Sequence, residues 1–546
     1  MIDPAADDDG VIPLGYDRGK RFFYYSRRLR QVFELQPSQH TRADLCALAD
    51  DVNYWGNLAH LQGEKGTKWP EAAAWLMRMS SRVGIFDPDR VRGRGAWLEN
   101  DSVVVHLGDR LLVDGDPAPL IREGSPFIYE AARPLLTSLP DPLPTTEAHK
   151  LAKICSMLKW ERPISARLAA GWIVLAPICG VLDWRPSAWV TGPSGSGKTY
   201  FVNDIVLRAV GKFALHVKMP TSAAFVSSYL GSDARPVVLD EAESENARSA
   251  TWMQQMLELV RQGSAADDGI MGRGTQTGGA IVRRIRSPFL FQSVNVSLEH
   301  RADTSRITVL SLIEPGNSPA AVANFRDLKR LVAETLTPEF SAGLVARAAM
   351  LAPVIRRNAV TFAEAIAEHV GSRREGDQIG ALLAGAYSLH STGEITPEAA
   401  REFVAASEWL AQSSQDEERD ETRLLRHLLA HPIRTKSGDI PVARLLEALE
   451  SEAPDLPRRS LAAQLLAEFG ILNRPWQGEP GLWISTKAPT IAAALKKTPW
   501  SSGWGRALGR LPGAAASDNR LKTRFAFGMQ SRAVFVPRRT IDGGGL

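Results

Sequence analysis

An unbroken G-x-x-x-x-G-K-[ST] run constrains this chain more than any other stretch: Gly192, Pro193, Ser194, Gly195, Ser196, Gly197, Lys198 and Thr199. Ala188, Trp189 and Val190 before it suit a buried parallel strand, and a helical segment begins at Tyr200. A strand, a glycine-rich turn and a helix in that order turn backbone amides and the positive helix end toward phosphates. In this pattern Lys198 reaches the outer phosphates of a nucleotide, and the Thr199 hydroxyl ligates magnesium. The expected fold class is therefore α/β, built around a P-loop nucleotide site.

At 546 residues the chain has room for a large core, divided among roughly three to four domains of about 150 residues. Hydrophobic residues at 44% and charged residues at 23% exclude a chain that is mainly disordered, collagenous or disulfide-framed. Cys46, Cys155 and Cys179 form no C-x-x-C pattern, which fits buried thiols in a reducing compartment and no zinc site. The opening MIDPAADDDG is acidic and lacks a basic-then-apolar signal, so a cytoplasmic location is expected. The apolar run Leu168 to Leu182 contains Pro177 and falls short of the ~18–20 residues a membrane span needs. It is expected to be a buried helix ahead of the loop strand, with no membrane partner.

Residues 1–140 mix β-prone runs (Arg21 to Tyr25, Ser102 to Leu107) with a helical run from Trp69 to Met79, and read as an α+β accessory domain. Asp87 and Asp89 mimic a metal-binding carboxylate pair, but Pro88 between them suits a turn. His106, alone beside a strand end, reads as structural. The proline-rich Ser138 to Thr146 marks a boundary, and 147–318 forms the nucleotide-binding domain. Trp160, Trp172 and Trp184 in its first segment are expected to fill core space or to border the base of the nucleotide.

Beyond the loop, Pro236 to Glu241 reads as a buried strand ending in two acids, 41 residues after Thr199 as far as Asp240. Asp240 would hold magnesium through water, and Glu241 would polarise the attacking water. A helix is expected over Ala247 to Gln262, then a basic β-hairpin within Gly269 to Arg286. Arg273, Arg283, Arg284 and Arg286 have no acid beside them in that stretch, so phosphate contact is expected. The strand Pro288 to Val294 runs into Asn295, a polar sensor for the lytic water, and Arg306 opens the next apolar strand. Arg306 suits an arginine finger that acts on the neighbouring subunit's nucleotide, which requires an oligomer. Residues 319–430 read as a helical lid or collar, and 431–546 as a winged-helix-like domain. That last part carries 17 Lys and Arg against 9 Asp and Glu, making it the basic end of a chain whose net charge is only +4. Its Trp476, Trp483, Trp500 and Trp504 suit either nucleic-acid stacking or a small core.

With Lys198, Asp240, Glu241, Asn295 and Arg306 in this order, the chain resembles the superfamily-three helicases and related primase-helicase ATPases of phages, plasmids and mobile elements. GWIVLAPICGVLDWRPSAWVTGPSGSGKT, DARPVVLDEAE, and RSPFLFQSVN succeeded by ADTSRITVLSL carry the likeness. It implies an AAA+-like core that uses ATP and Mg2+, assembles as a hexameric ring, and translocates single-stranded or forked DNA in replication within a bacterial host cell. A primase or other replication protein is an implied partner. The hairpin then becomes the DNA loop, with Arg273 and Thr275 at its tip and Arg283 and Arg284 on its return. Two features depart from the family: the tip lacks the usual lysine or histidine, and residues 1–140 show no primase carboxylate set. An initiator or loader that melts or marks DNA, or a defence or protein-remodelling ATPase, are the alternatives. Protein translocases grip with an aromatic in this loop, and Gly269 to Arg286 contains none.

Overall fold

The computed structural model describes residues 10–542 except 51, 123, 219–220, 241–246, 266–270, 275–279, 295, 297, 299–300, 407–419, 436–437, 451–456, 497, 499, 501–503, 516–521 and 527–529. Of 247–250, 271–274, 280–283, 301–302, 420 and 542 it describes the backbone alone. The chain divides into two compact units, one comprising residues up to 298 with 302–410, the other 411–546 with 299–301.

At the centre of the first unit is a five-stranded sheet in the order Leu215–Lys218, Val237–Asp240, Phe289–Gln292, Ser187–Thr191, Ile307–Ser311, with every neighbouring pair parallel. Near-continuous apolar runs form these strands because both faces are covered. Alternation decides which face each residue joins. Val190, Val238, Leu290 and Leu310 pack with Phe201, Val202 and Ile205 of the segment after the loop. Trp189, Val237, Leu239, Phe289, Phe291 and Ile307 pack with Met253, Met256, Leu257 and Val260 of the helix Ala247–Gly263. Those four helical positions recur three and four apart, which keeps one face on the sheet.

Ile164–Val181 is long and apolar enough to cross a membrane, yet 89% of it is buried inside the fold. Its helical part, Ile164–Leu175, packs through Gly171 against the backbone of the helix Arg373–Tyr387, where a Cβ would collide with the Leu382 carbonyl. Trp172 is buried in that layer, and Trp160 sets its ring edge-on to Phe201 at 5.3 Å. Trp184 donates to Gln378 Oε1 at 2.9 Å. All three tryptophans therefore serve packing, and Trp160 and Trp184 also structural hydrogen bonding.

The N-terminal region holds an antiparallel sheet of Val11–Tyr16, Phe22–Ser26 and Gln31–Leu35, the helix Trp69–Val83, and a four-stranded sheet running from Gly95–Glu99 to Asp116–Ala118. It shares a core with the central domain: Ala96, Val103, Val105 and Leu107 join the same cluster as Ile173, Val190 and Phe201. Sequence marks a linker at Ser138 to Thr146, but Leu139 and Leu143 pack against that cluster and Arg347 donates to the Leu143 carbonyl at 2.8 Å.

In the second unit the helix Asp420–Ala430 precedes the hairpin Pro432–Thr435 with Gly438–Pro441, the helices Val442–Glu447 and Arg459–Phe469, and an antiparallel sheet. The sheet order is Ile471–Asn473, Gly481–Ser485, Gln530–Pro537, Lys522–Arg524. Leu424, Leu425, Leu428 and Leu429 bury against Val442, Leu445 and Leu466, so the helix ending at residue 430 packs with the elements on its C-terminal side. Trp500 and Trp504 belong to the same core, while Trp476 and Trp483 pack on Phe535. These tryptophans fill space between elements.

Candidate nucleotide site

Three glycines shape the loop, with φ of 147° at Gly192, 82° at Gly195 and 93° at Gly197, a region that side chains disfavour. At Gly192 a Cβ would also collide with the Leu312 carbonyl, so only glycine lets the loop leave the strand here. Lys198 opens the helical segment and is 7% exposed, its Nζ donating to the Gly192 carbonyl at 2.6 Å and the Pro193 carbonyl at 2.8 Å. The ammonium thus lies folded over the loop it would serve, held by two carbonyls that a phosphate could replace. Ser196 Oγ is buried and has no hydrogen-bond partner among the described residues.

Thr199 lies one residue further on, and its Oγ1 accepts from Gln292 Nε2 at 3.1 Å. Gln292 ends the strand beside the loop strand, in register with Val190, and is 5% exposed. Its other amide atom, Oε1, is buried and unpartnered among the described residues. A buried polar atom without a partner at a strand end marks a place for water or ligand. Gln292 is not among the residues that sequence singles out; the available signal was a single amide interrupting the apolar run PFLFQSV.

Asp240 closes the next strand and is half-buried. The registers Leu239 with Phe291 and Trp189 with Phe291 put Asp240, Gln292 and Val190 at one level along the carboxyl edge of the sheet. Two strand spacings, about 10 Å, separate the Asp240 strand from the loop strand. On the neighbouring strand Lys218 pairs with Asp240, and two residues before it His216 has its pKa lowered by burial, an effect that the Asp240 charge opposes. Behind this row, Trp189 Nε1 donates to Ser293 Oγ at 2.7 Å and Thr191 Oγ1 to the Val294 carbonyl at 2.7 Å, tying the chain after Gln292 to the loop strand. Glu241 and Asn295 lie outside the described residues.

Arg306 stands at the other end of the sheet. Ile307 pairs with Ser187 and Ser311 with Thr191, so Arg306 precedes its strand by the whole length that leads to the loop. Five residues of parallel strand separate the two edges by about 16 Å. The Arg306 amide donates to the Asp303 carbonyl at 3.0 Å, and the buried Asp303 carboxylate takes Arg261 Nε at 3.0 Å. Burial first, then the nearby Arg374 and Arg261, lower the Arg306 pKa against the opposing pull of Asp303.

The expected hairpin is present as backbone: Met271–Gly274 pairs antiparallel with Ala280–Arg283, with Arg273 opposite Ile281 and Met271 opposite Arg283. Thr275 lies outside the described residues, as do the side chains of Arg273 and Arg283. The structure amends the expectation for the two arginines beyond the hairpin. Arg284 and Arg286 lack acidic neighbours in sequence, but in space Asp89 stands 2.7 Å from Arg284 Nη2 and 3.9 Å from Arg286 Nη2. Arg286 also lies over the Trp97 ring at 5.4 Å. Asp87, by contrast, accepts from the Asp89 amide at 3.0 Å and shapes the turn, as Pro88 implies.

The N-terminal region also grips the approach to the Asp240 strand. Gly93 N–H donates to the Ser232 carbonyl at 2.9 Å, and Ala234 N–H to the Arg94 carbonyl at 2.8 Å. Asp233 accepts from Arg94 Nη2 at 2.6 Å and Nε at 3.0 Å. At Gly95, with φ of 125°, a Cβ would collide with the Ala234 carbonyl.

No family model matches the chain, and no curated protein matches it. Among solved structures, it is similar to an active helicase, Cch of SCCmec type IV, at 14% identity and a TM-score of 0.49, with 100% of this chain and 99% of that one covered. It is also similar to the apo C-terminal region of NrS-1, at 12% identity and a TM-score of 0.34, with 96% of each chain covered.

Proposed function

We propose that this chain is an ATP-dependent, magnesium-requiring DNA helicase or translocase that works as a ring, in the replication of a phage or mobile element. The observation that carries the proposal is the split of the catalytic set between two sheet edges. Lys198, Thr199, Gln292 and Asp240 share the carboxyl edge, while Arg306 stands at the opposite edge, about 16 Å along the strands. An arginine so placed is out of reach of its own loop, which supports a role at a neighbour's nucleotide.

Thr199 Oγ1 and the Asp240 carboxylate are the hard oxygen donors that magnesium takes, directly or through water. Unpartnered among the described residues, Gln292 Oε1 and Ser196 Oγ fit a site built for ligand and ordered water. When bound, the ion neutralises charge on the phosphates. Lys198 leaves the Gly192 and Pro193 carbonyls for the outer phosphates, Gln292 holds the Thr199 hydroxyl in place, and Glu241 polarises the lytic water. The hairpin with Arg273, Thr275 and Arg283 then carries the DNA contact, and Asp89 holds Arg284 just after its return strand ends.

The test is ATP turnover and strand displacement on forked DNA, for wild type, Lys198→Ala and Arg306→Ala. Both variants are expected to lose unwinding, with Arg306→Ala lowering turnover by about 10³-fold or more. Mixing Arg306→Ala with Glu241→Gln subunits should restore part of the turnover, since a mixed interface can pair an intact arginine with an intact site. Turnover indifferent to DNA, with no fork opened, refutes the helicase proposal; absence of rescue refutes the finger.

A further inference from the structure

A second concavity, of about 550 Å³, lies away from the nucleotide loop, where the helices Thr145–Ser156 and Ile164–Leu175 meet Ala352–Val370, Arg373–Tyr387 and Pro397–Ala405. Its size is that of pockets that enclose small molecules. Apolar side chains floor it: Phe362 meets Tyr387 at 6.1 Å and Phe403 at 6.0 Å, both edge-on, and Leu383 lies beside them. The rim is of one sign. His149 and His390 face each other with Nδ1 atoms 2.9 Å apart, Lys153 comes one turn after His149, and the Arg167 guanidinium lies 4.9 Å from the Phe403 ring centroid.

Among the described residues no aspartate or glutamate lines this cavity, and neither Lys153 nor Arg167 has an acidic partner. Burial, His149 and Arg167 all push the His390 pKa down, and no carboxylate offsets them. One histidine Nδ1 donates to the other, so that pair holds at most one positive charge, and with Lys153 and Arg167 beside it and no carboxylate among the lining residues the rim keeps a positive field that a seated anion offsets. The floor selects the rest of the ligand, because edge-on aromatic rings and a guanidinium over Phe403 favour a flat body.

We propose that this cavity binds a small anion with a flat, apolar body, its phosphate or carboxylate held by Lys153, Arg167 and the histidine pair and its ring laid on Phe362, Tyr387 and Phe403. This site is separate from the Gly192–Thr199 loop and does not depend on what that loop binds.

Calorimetric titration of the full-length chain tests it, using 1-naphthyl phosphate, 1-naphthoate and the neutral 1-naphthalenemethanol as probes. Saturable binding is expected for at least one anion, and the preferred anion identifies the head group. The neutral probe should bind at least tenfold more weakly. Lys153→Gln with Arg167→Gln should weaken the anion at least tenfold, while Lys198→Ala leaves its affinity unchanged. Lys153 and Arg167 are exposed, so their replacement should leave the melting temperature at the wild-type value, and Phe403→Leu, which removes only the ring, gives an independent loss. The proposal is overturned by equal binding of the neutral probe, by loss of binding in Lys198→Ala, by full affinity in the Lys153/Arg167 variant, or by no saturable binding at millimolar probe.

Discussion

Replacing Asp233 with alanine is expected to open the junction between the N-terminal region and the strand that carries Asp240. The Asp233 carboxylate accepts from the Arg94 backbone amide at 2.6 Å as well as from its guanidinium, and Arg235 lies 3.5 Å away. Asp233 is 7% exposed and Arg94 14%, so little water is available to replace the lost contacts. Removing one member of a buried pair costs about 3–5 kcal/mol. Arg94→Ala should cost less, about 2–3 kcal/mol, because Asp233 keeps a backbone amide and Arg235. The double variant should fall short of the sum by about 1.5–3 kcal/mol. Two compact units make a single global unfolding energy ill-defined, so local hydrogen exchange is the better measure. The amides of Gly93 and Ala234 bridge the junction, and at about 1.4 kcal/mol per tenfold Asp233→Ala should speed their exchange by roughly 10²–10³-fold. Exchange within threefold of wild type, or penalties that simply add, would refute the coupling.

Gln292→Leu removes the donor to Thr199 at nearly constant size; turnover should fall about 10²-fold while nucleotide affinity shifts by less than about tenfold, and unchanged turnover in a steady-state assay would remove Gln292 from the site. Acid should weaken the N-terminal region, because burial lowers the pKa of both His40 and His106 from the ordinary 6.5. In the neutral His40 ring, Nδ1 donates to the Gln36 carbonyl at 2.8 Å, so Nε2 accepts from the Tyr24 hydroxyl at 2.8 Å, and protonating Nε2 requires that hydroxyl to turn its hydrogen away. Below about pH 6.5 the unfolded chain binds more protons than the folded one, so stability is fully present above that value and is lost as pH falls through the folded pKa values. Thermal melts between pH 7.5 and 5.5 should show this decline and a shallower slope in His106→Leu; a flat wild-type profile contradicts it.

The parallel sheet was legible because its strands are short apolar runs bounded by polar ends, and period-two alternation sorts Trp189 and Val190 to opposite faces. The placement of Lys198, Thr199 and Asp240 at the carboxyl edge of the sheet was legible for a related reason: they stand next to their strands in sequence. What stayed hidden depends on distant segments meeting. Gln292 declares its role only through Thr199, a residue on another element. The helix Asp420–Ala430 reads as the end of the helical collar, yet its four leucines bury against helices on its C-terminal side. The tryptophans of residues 431–546 were ambiguous because indole serves stacking and core equally well, and only their neighbours decide.

Asp89 and Asp233 belong to this hidden class, and together they give the N-terminal region a mechanical place. Asp89 meets the return of the hairpin through Arg284 and Arg286, and Arg94 meets the lead-in to the Asp240 strand through Asp233. Both contacts spring from one short stretch between Pro88 and Gly95, stiffened by Arg92 over the Trp97 and Phe127 rings. A shift at the carboxyl edge of the sheet that moved the Asp240 strand would press on this stretch, and the same stretch bears on the root of the hairpin. Residues 10–140 are therefore better regarded as the abutment against which strand and hairpin keep their spacing than as an appendage, which accounts for their sharing a core with the central domain instead of hanging from the proline-rich segment.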